Sequence, residues 1–273
     1  MQAFFENFLT CFFHLYFDGG YGIIEYKYIY KMEASMLSQL LSGNFSLSSI
    51  IAEIIAVLVI IFLILPFHEW AHAQTAYLLG DKGIKQRGRL SLNPLTHIDP
   101  FGALFMLLFG FGWAKPVPVD ARYFKNPKGG MAITALMGPV ANLVAGFAGL
   151  LIFQIIWAIS PSFLASNSVG SWVLTFLTFY STVNVQLAVF NLLPIPPLDG
   201  SKLLFAFLPD KAVAFLYRYQ MVFFAVIFVL LWMGPLSRLL SFLSTWVLYG
   251  MYNLSALPFQ LFGVTTVPFN MLF

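Results

Sequence analysis

His68 and His72 lie four residues apart in the pentad His68-Glu69-Trp70-Ala71-His72. On a helix that spacing puts both imidazoles on one face. Two histidines so placed suit a zinc ion, and the carboxylate between them suits a base that activates water. The neighbouring residues give this chemistry an unusual setting. Ile50 to Phe67 carries Glu53 as its only charge and is long enough to cross hydrocarbon. Ionisable groups at such depth cost free energy and mark function. The residues therefore predict metal-assisted hydrolysis of peptide bonds within a membrane.

A catalytic zinc takes three protein ligands and keeps a position for water. The candidates for the third ligand are Asp199, His97, Asp99 and Asp120. Asp199 closes the run Leu193-Pro194-Ile195-Pro196-Pro197-Leu198-Asp199-Gly200, in which three prolines stop a helix from continuing. Non-helical backbone at membrane depth needs a cavity lined by protein or water, which a hydrolytic site also needs. Asp199 is preferred on that ground. His97 and Asp99 sit in Asn93-Pro94-Leu95-Thr96-His97-Ile98-Asp99-Pro100, which reads as a polar turn. Asn142 shares a stripe with Gly138 and Gly146, suited either to close helix packing or to supporting the site. Asn184 and Asn191 are seven residues apart and can share a helix face, and Asn191 is the better candidate for touching substrate. Lys115 reads as a loop charge, and His14 is assigned no role.

These residues must be positioned by membrane helices. Of 273 residues, 60% are hydrophobic, 18% aromatic and 9% charged, far below the charge content of a soluble globule. The net charge of +3 gives no argument for nucleic acid, and a single cysteine, Cys11, excludes an internal disulfide framework and a cysteine-based zinc cluster. The predicted fold is an all-α polytopic membrane protein with about five to six transmembrane helices. Residues 50–79 read as a span kinked by Pro66, or as a span followed by a helix beginning there. Further spans are expected at Met131 to Ile159, Trp172 to Leu193, 212–233 and 236–250. A short re-entrant or β-like segment is expected near residues 101–120. Phe101 to Phe111 is too short to span, and Pro116 and Pro118 suit Trp113 to Val119 to an exposed sheet edge. The expected organisation is an N-terminal extension at 1–46, a metalloprotease core at 47–210 and hydrophobic helices at 211–273. Met32 or Met36 is an alternative start.

Lys and Arg cluster at 82–89, 122–128 and 202–218, whereas 160–171 has no charge. Positive loops face the cytoplasm, so the first span and the 172–193 span both run inward. That places the histidine pair and Asp199 at similar depth, near the cytoplasmic face.

Three stretches carry a family resemblance. His68 to His72, Asn191 to Gly200, and Gly138-Pro139-Val140-Ala141-Asn142 resemble the signature motifs of the site-2 protease family of intramembrane zinc metalloproteases. Asn93 to Gly102 and Gly112 to Asp120 also resemble loops of that family, so the likeness covers about residues 50–210. It implies one zinc held by His68, His72 and Asp199, with Glu69 as base and a membrane-spanning segment as substrate. Asn142 or Asn191 would stabilise the oxyanion, and Trp113 to Val119 would pair with unwound substrate or merely pack beside the site. Many members carry a PDZ insertion or a CBS domain, and this chain shows neither pattern. The rival readings are a metal transporter or sensor and a holder of transmembrane clients that does not cut. The sequence is silent on the particular substrate, the gate and the oligomeric state.

Overall fold

The computed structural model describes residues 47–109 and 112–273. The expected N-terminal extension, with Cys11, His14, Met32 and Met36, lies outside them. The described chain is helical and contains no β-strand.

Helix α1 (Leu47–Val59) passes through a π-helical turn (Ile60–Ile64) directly into α2 (Leu65–Leu79). The cause is Pro66, which has no N–H and whose ring would collide with the carbonyl four residues earlier in a regular helix. The wider turn relieves that conflict, and the Leu65 N–H reaches back five residues to the Ile60 carbonyl. The first span therefore runs unbroken from Ile54 to Leu79, with both histidines inside it.

After α3 (Gly83–Gln86) and a polar turn comes α4 (Pro100–Phe109). Ten residues make a helix of about 15 Å, half the thickness of hydrocarbon. Its Met106 packs with Val57 and Ile61 of the first span. Asp99 caps this helix, its Oδ1 accepting from the Phe101 and Gly102 N–H groups at 2.9 and 3.0 Å. The β-like reading of the following segment needs correction. Residues 112–120 are extended but make only one isolated antiparallel bridge, Ile98 to Ala114. Pro116 and Pro118 remove alternate donors, so no ladder can form.

The centre of the molecule is α5 (Pro127–Ile159), packed against α2 and against α7 (Ser168–Asn191), with the short α6 (Pro161–Ser166) between. Gly138, Asn142, Gly146 and Gly149 are buried along α5, and small residues let the neighbouring backbones approach closely. Ile133, Val144, Ile152 and Ile159 are exposed on the same helix, as suits a lipid-facing surface. The chain then forms α8 (Asp199–Phe205), α9 (Asp210–Arg218), α10 (Gln220–Trp232) and α11 (Pro235–Leu261).

The expectation of five to six spans is too high for the described residues. Three helices are long and apolar enough to cross a membrane: Ile54–Leu79, Pro127–Ile159 and Ser168–Asn191. A fourth arises only if α9 and α10, bent by 61°, count as one span. The predicted 212–233 span breaks at Tyr219. The predicted last span is a 27-residue helix, but Ser237, Arg238, Ser241, Ser244 and Thr245 dilute its apolar content.

Candidate metal centre

His68 and His72 lie one turn apart on the buried side of α2, and Asp199 opens α8 after the proline run. The structure brings these three together. The Nε2 atoms of the two histidines are 3.0 Å apart, and Asp199 Oδ2 lies 3.2 Å from His68 Nε2 and 3.1 Å from His72 Nε2. The two rings are nearly perpendicular, at 87°. A tetrahedral zinc with bonds near 2.0 Å sets its ligand atoms about 3.3 Å apart, so this triangle has the right edge lengths. All three residues are buried. Among the described residues no other group of three metal-ligating side chains converges in this way.

The surrounding backbone fixes the donors. The His72 Nδ1–H donates to the Thr134 carbonyl of α5 at 2.7 Å, which leaves the Nε2 lone pair facing the triangle. Gly138 lies against both rings: a Cβ there would stand 2.4 Å from His72 Nε2 and 2.6 Å from His68 Cε1. A side chain at Gly138 would fill the cradle. Gly200 answers a second close approach, since its Cβ would meet the Leu192 carbonyl oxygen at 2.2 Å. That contact lets the proline run fold back so that Asp199 faces α2. The second oxygen of Asp199 accepts from Lys202 Nζ at 3.0 Å. Burial works against the Asp199 charge, but hydrogen bonds with His68 and His72 and the nearby Lys202 ammonium hold it well below the usual carboxylate range. It is an anionic donor.

Glu69 follows His68 on α2 and is half-buried. Its Oε2 accepts from the Val117 N–H at 3.1 Å, which ties the proline-interrupted segment 112–120 to the site. Asn142, one turn along α5 from Gly138, is buried, and neither of its amide atoms has a hydrogen-bond partner among the described residues. Asn191 is turned back along its own helix, donating to the Leu187 carbonyl at 2.9 Å, and Asn184 donates likewise to Tyr180 at 2.8 Å.

The other ligand candidates have structural partners elsewhere. The His97 Nε2–H donates to the Ser91 carbonyl at 2.7 Å, Asp99 caps α4, and Asp120 pairs with Arg122 at 2.7 Å. Arg122 holds the half-buried Asp120 carboxyl down at about 2. Lys115 is exposed on its loop. Sequence reasoning missed Thr134, Lys202 and Arg89. The signal for Lys202 was its spacing of three from Asp199, one helical turn. Thr134 contributes a backbone carbonyl, and no residue type signals that.

A buried two-histidine, one-carboxylate triangle beside a glutamate, set within helices fit to cross a membrane, defines a membrane-embedded zinc metalloprotease. Comparison with known proteins agrees. The profile of Peptidase family M50 matches residues 56–234, and the chain belongs to that family. The chain is 38% identical over 196 residues to "Putative zinc metalloprotease YwhC" of Bacillus subtilis, covering 71% of this chain and 85% of that protein. It is 33% identical over 144 residues to "Putative zinc metalloprotease Rip2" of Mycolicibacterium smegmatis, covering 50% of this chain and 51% of that protein. The Mycobacterium tuberculosis protein of the same name is 28% identical over 214 residues, covering 74% and 75% respectively. No solved structure matches the chain.

Proposed function

We propose that the chain is an intramembrane endopeptidase of the site-2 type, cutting peptide bonds within or next to transmembrane segments of other membrane proteins. The observation that carries this reading is the 3.0–3.2 Å triangle of His68, His72 and Asp199, beside Glu69 and with both histidines inside the first span. Its core is residues 47–210, followed by hydrophobic helices at 211–273. His68, His72 and Asp199 hold one zinc. Zinc held there would supply Lewis-acid polarisation of a carbonyl and a water with a pKa of about 7.

This chain's own residues do the rest. Glu69 takes the proton from the attacking water and delivers it to the leaving amine. Asn142, with an unused buried amide, donates to the developing oxyanion, and Asn191 contacts substrate from the start of the proline run. A substrate helix hides its carbonyls in its own hydrogen bonds, so it must unwind locally, most cheaply at Pro or Gly. The opened strand then lies beside Trp113 to Val119, which packs next to the site through Glu69. The basic clusters at 82–89, 122–128 and 202–218 support a site near the cytoplasmic face of the cell membrane.

A cleavage assay in liposomes with several transmembrane peptides tests the reading. Glu69→Gln should abolish cleavage with zinc still bound. Full activity in that variant removes Glu69 as base, and a metal transporter or a holder of clients would keep its function.

A further inference from the structure

Arg89 is buried in a loop, 7% exposed, and no carboxylate among the described residues forms an ion pair with it. A buried cation without a direct ion pair is costly, so its partners matter. They are three backbone carbonyls: Nη1 donates to Thr96, and Nη2 donates to Lys115 and, at 3.0 Å, to Pro116. Thr96 belongs to the polar turn before α4, and the other two belong to segment 112–120. One guanidinium therefore joins two pieces of chain that lack a strand ladder. Among the described residues the other backbone tie between them is the Ile98–Ala114 bridge, with its Lys115 N–H on the His97 carbonyl at 2.8 Å.

The Pro116 carbonyl and the Val117 N–H are two ends of one peptide unit. That unit is planar, and in its trans form the two groups point opposite ways. Arg89 grips the oxygen end at 3.0 Å, and Glu69 Oε2 accepts from the N–H end at 3.1 Å. A fixed cation and a carboxylate thus stand at opposite poles of a single peptide dipole, an order in which each hydrogen bond strengthens the other. Because the flanking residues Pro116 and Pro118 carry no N–H, Val117 supplies the one donor at that place.

We propose that Arg89 is a positioning residue that aims Glu69 through the Pro116–Val117 peptide, a role resting on the endopeptidase reading above. The fork does the aiming, so charge alone does not replace it. Lysine presents one compact ammonium on a flexible stem and does not reproduce a planar fork across three carbonyls.

The test compares Arg89→Lys and Arg89→Gln with the parent chain in liposomes, measuring kcat, KM, bound zinc and amide hydrogen exchange. Both variants should retain zinc and lose on the order of 100-fold in kcat, the scale of a small misplacement of a catalytic group, with KM moving less than about two-fold. Val117 exchange should accelerate in both. Parent-like kcat in Arg89→Lys, or zinc loss in step with activity, overturns the proposal. Val117→Pro keeps Arg89 and removes the N–H that Glu69 accepts from, and should show the same kcat deficit with zinc bound; parent-like kcat there also overturns it. If the parent chain cuts no substrate, the endopeptidase reading fails separately. The peptide grip then stands on faster Val117 exchange in Arg89→Lys and falls on unchanged exchange.

Discussion

Asp199 divides its two oxygens between different tasks: Oδ2 faces the imidazoles and Oδ1 accepts from Lys202. The ammonium fixes the rotation of the carboxylate, which decides whether Oδ2 completes the triangle. Outer-shell partners of this kind change metal affinity by roughly 10–100-fold. Lys202→Met should therefore weaken zinc binding by about that factor, read by competition with a chromophoric chelator, while Lys202→Arg keeps most of it. Unchanged affinity in the methionine variant would show that the proline run alone orients Asp199. The histidine pair was readable from the sequence because four-residue spacing on a helix dictates a shared face. Asp199 was readable from the prolines before it. Gly138 was legible as a helix-packing residue and as part of a family motif, without its contact to the histidines. Its contact with two imidazole rings depends on how α5 crosses α2, which no local pattern encodes.

The polar turn at 93–99 shows how one element trades ligand chemistry for architecture. Its histidine and aspartate both looked like metal ligands by type. Asp99 precedes Pro100, however, and that pairing makes a helix start: the carboxylate takes the first free N–H groups while proline accepts the first helical position. His97 instead holds Ser91. Burial pushes the His97 imidazole below its ordinary value of 6.5, the Ser91 carbonyl opposes that shift, Arg89 reinforces it, and the Glu69 carboxylate opposes it again. The sign follows from linkage. Below pH 6.5 the unfolded chain binds a proton that folded His97 refuses, so stability is intact above that pH. It falls as pH drops through 6.5 toward the lowered folded value. The thermal midpoint in detergent should decline on acidification from pH 7 to about 5.5, and His97→Gln should flatten that part of the decline. An identical slope in the variant would assign the loss to other groups. The segment after α4 was legible as an edge from its alternating prolines, but its attachments run through backbone carbonyls and a single guanidinium.

At the scale of the whole molecule, the candidate centre joins elements that are distant in the chain. α2 supplies two donors, α8 the third, and α5 the Thr134 carbonyl that sets one ring. Hydropathy foretold the three long helices because each is a continuous apolar run. It overcounted beyond α8 because a window of apolar residues does not register a 61° bend or serines spread through α11. A ligand that binds only the folded arrangement stabilises it by mass action, by about 4 kcal/mol at a thousand-fold excess over its dissociation constant. The two imidazoles and Asp199 come together only in that arrangement, so bound zinc should act as a clasp between the first span and the segment after the third. Chelation should lower the thermal midpoint of the detergent-solubilised protein, and graded zinc should restore it with a logarithmic dependence on free metal. Asp199→Asn should remove most of that dependence, since an amide oxygen is a poor substitute for an anionic donor. A midpoint indifferent to zinc in the parent chain would mean that helix packing alone, chiefly α5 against α2 and α7, carries the joint.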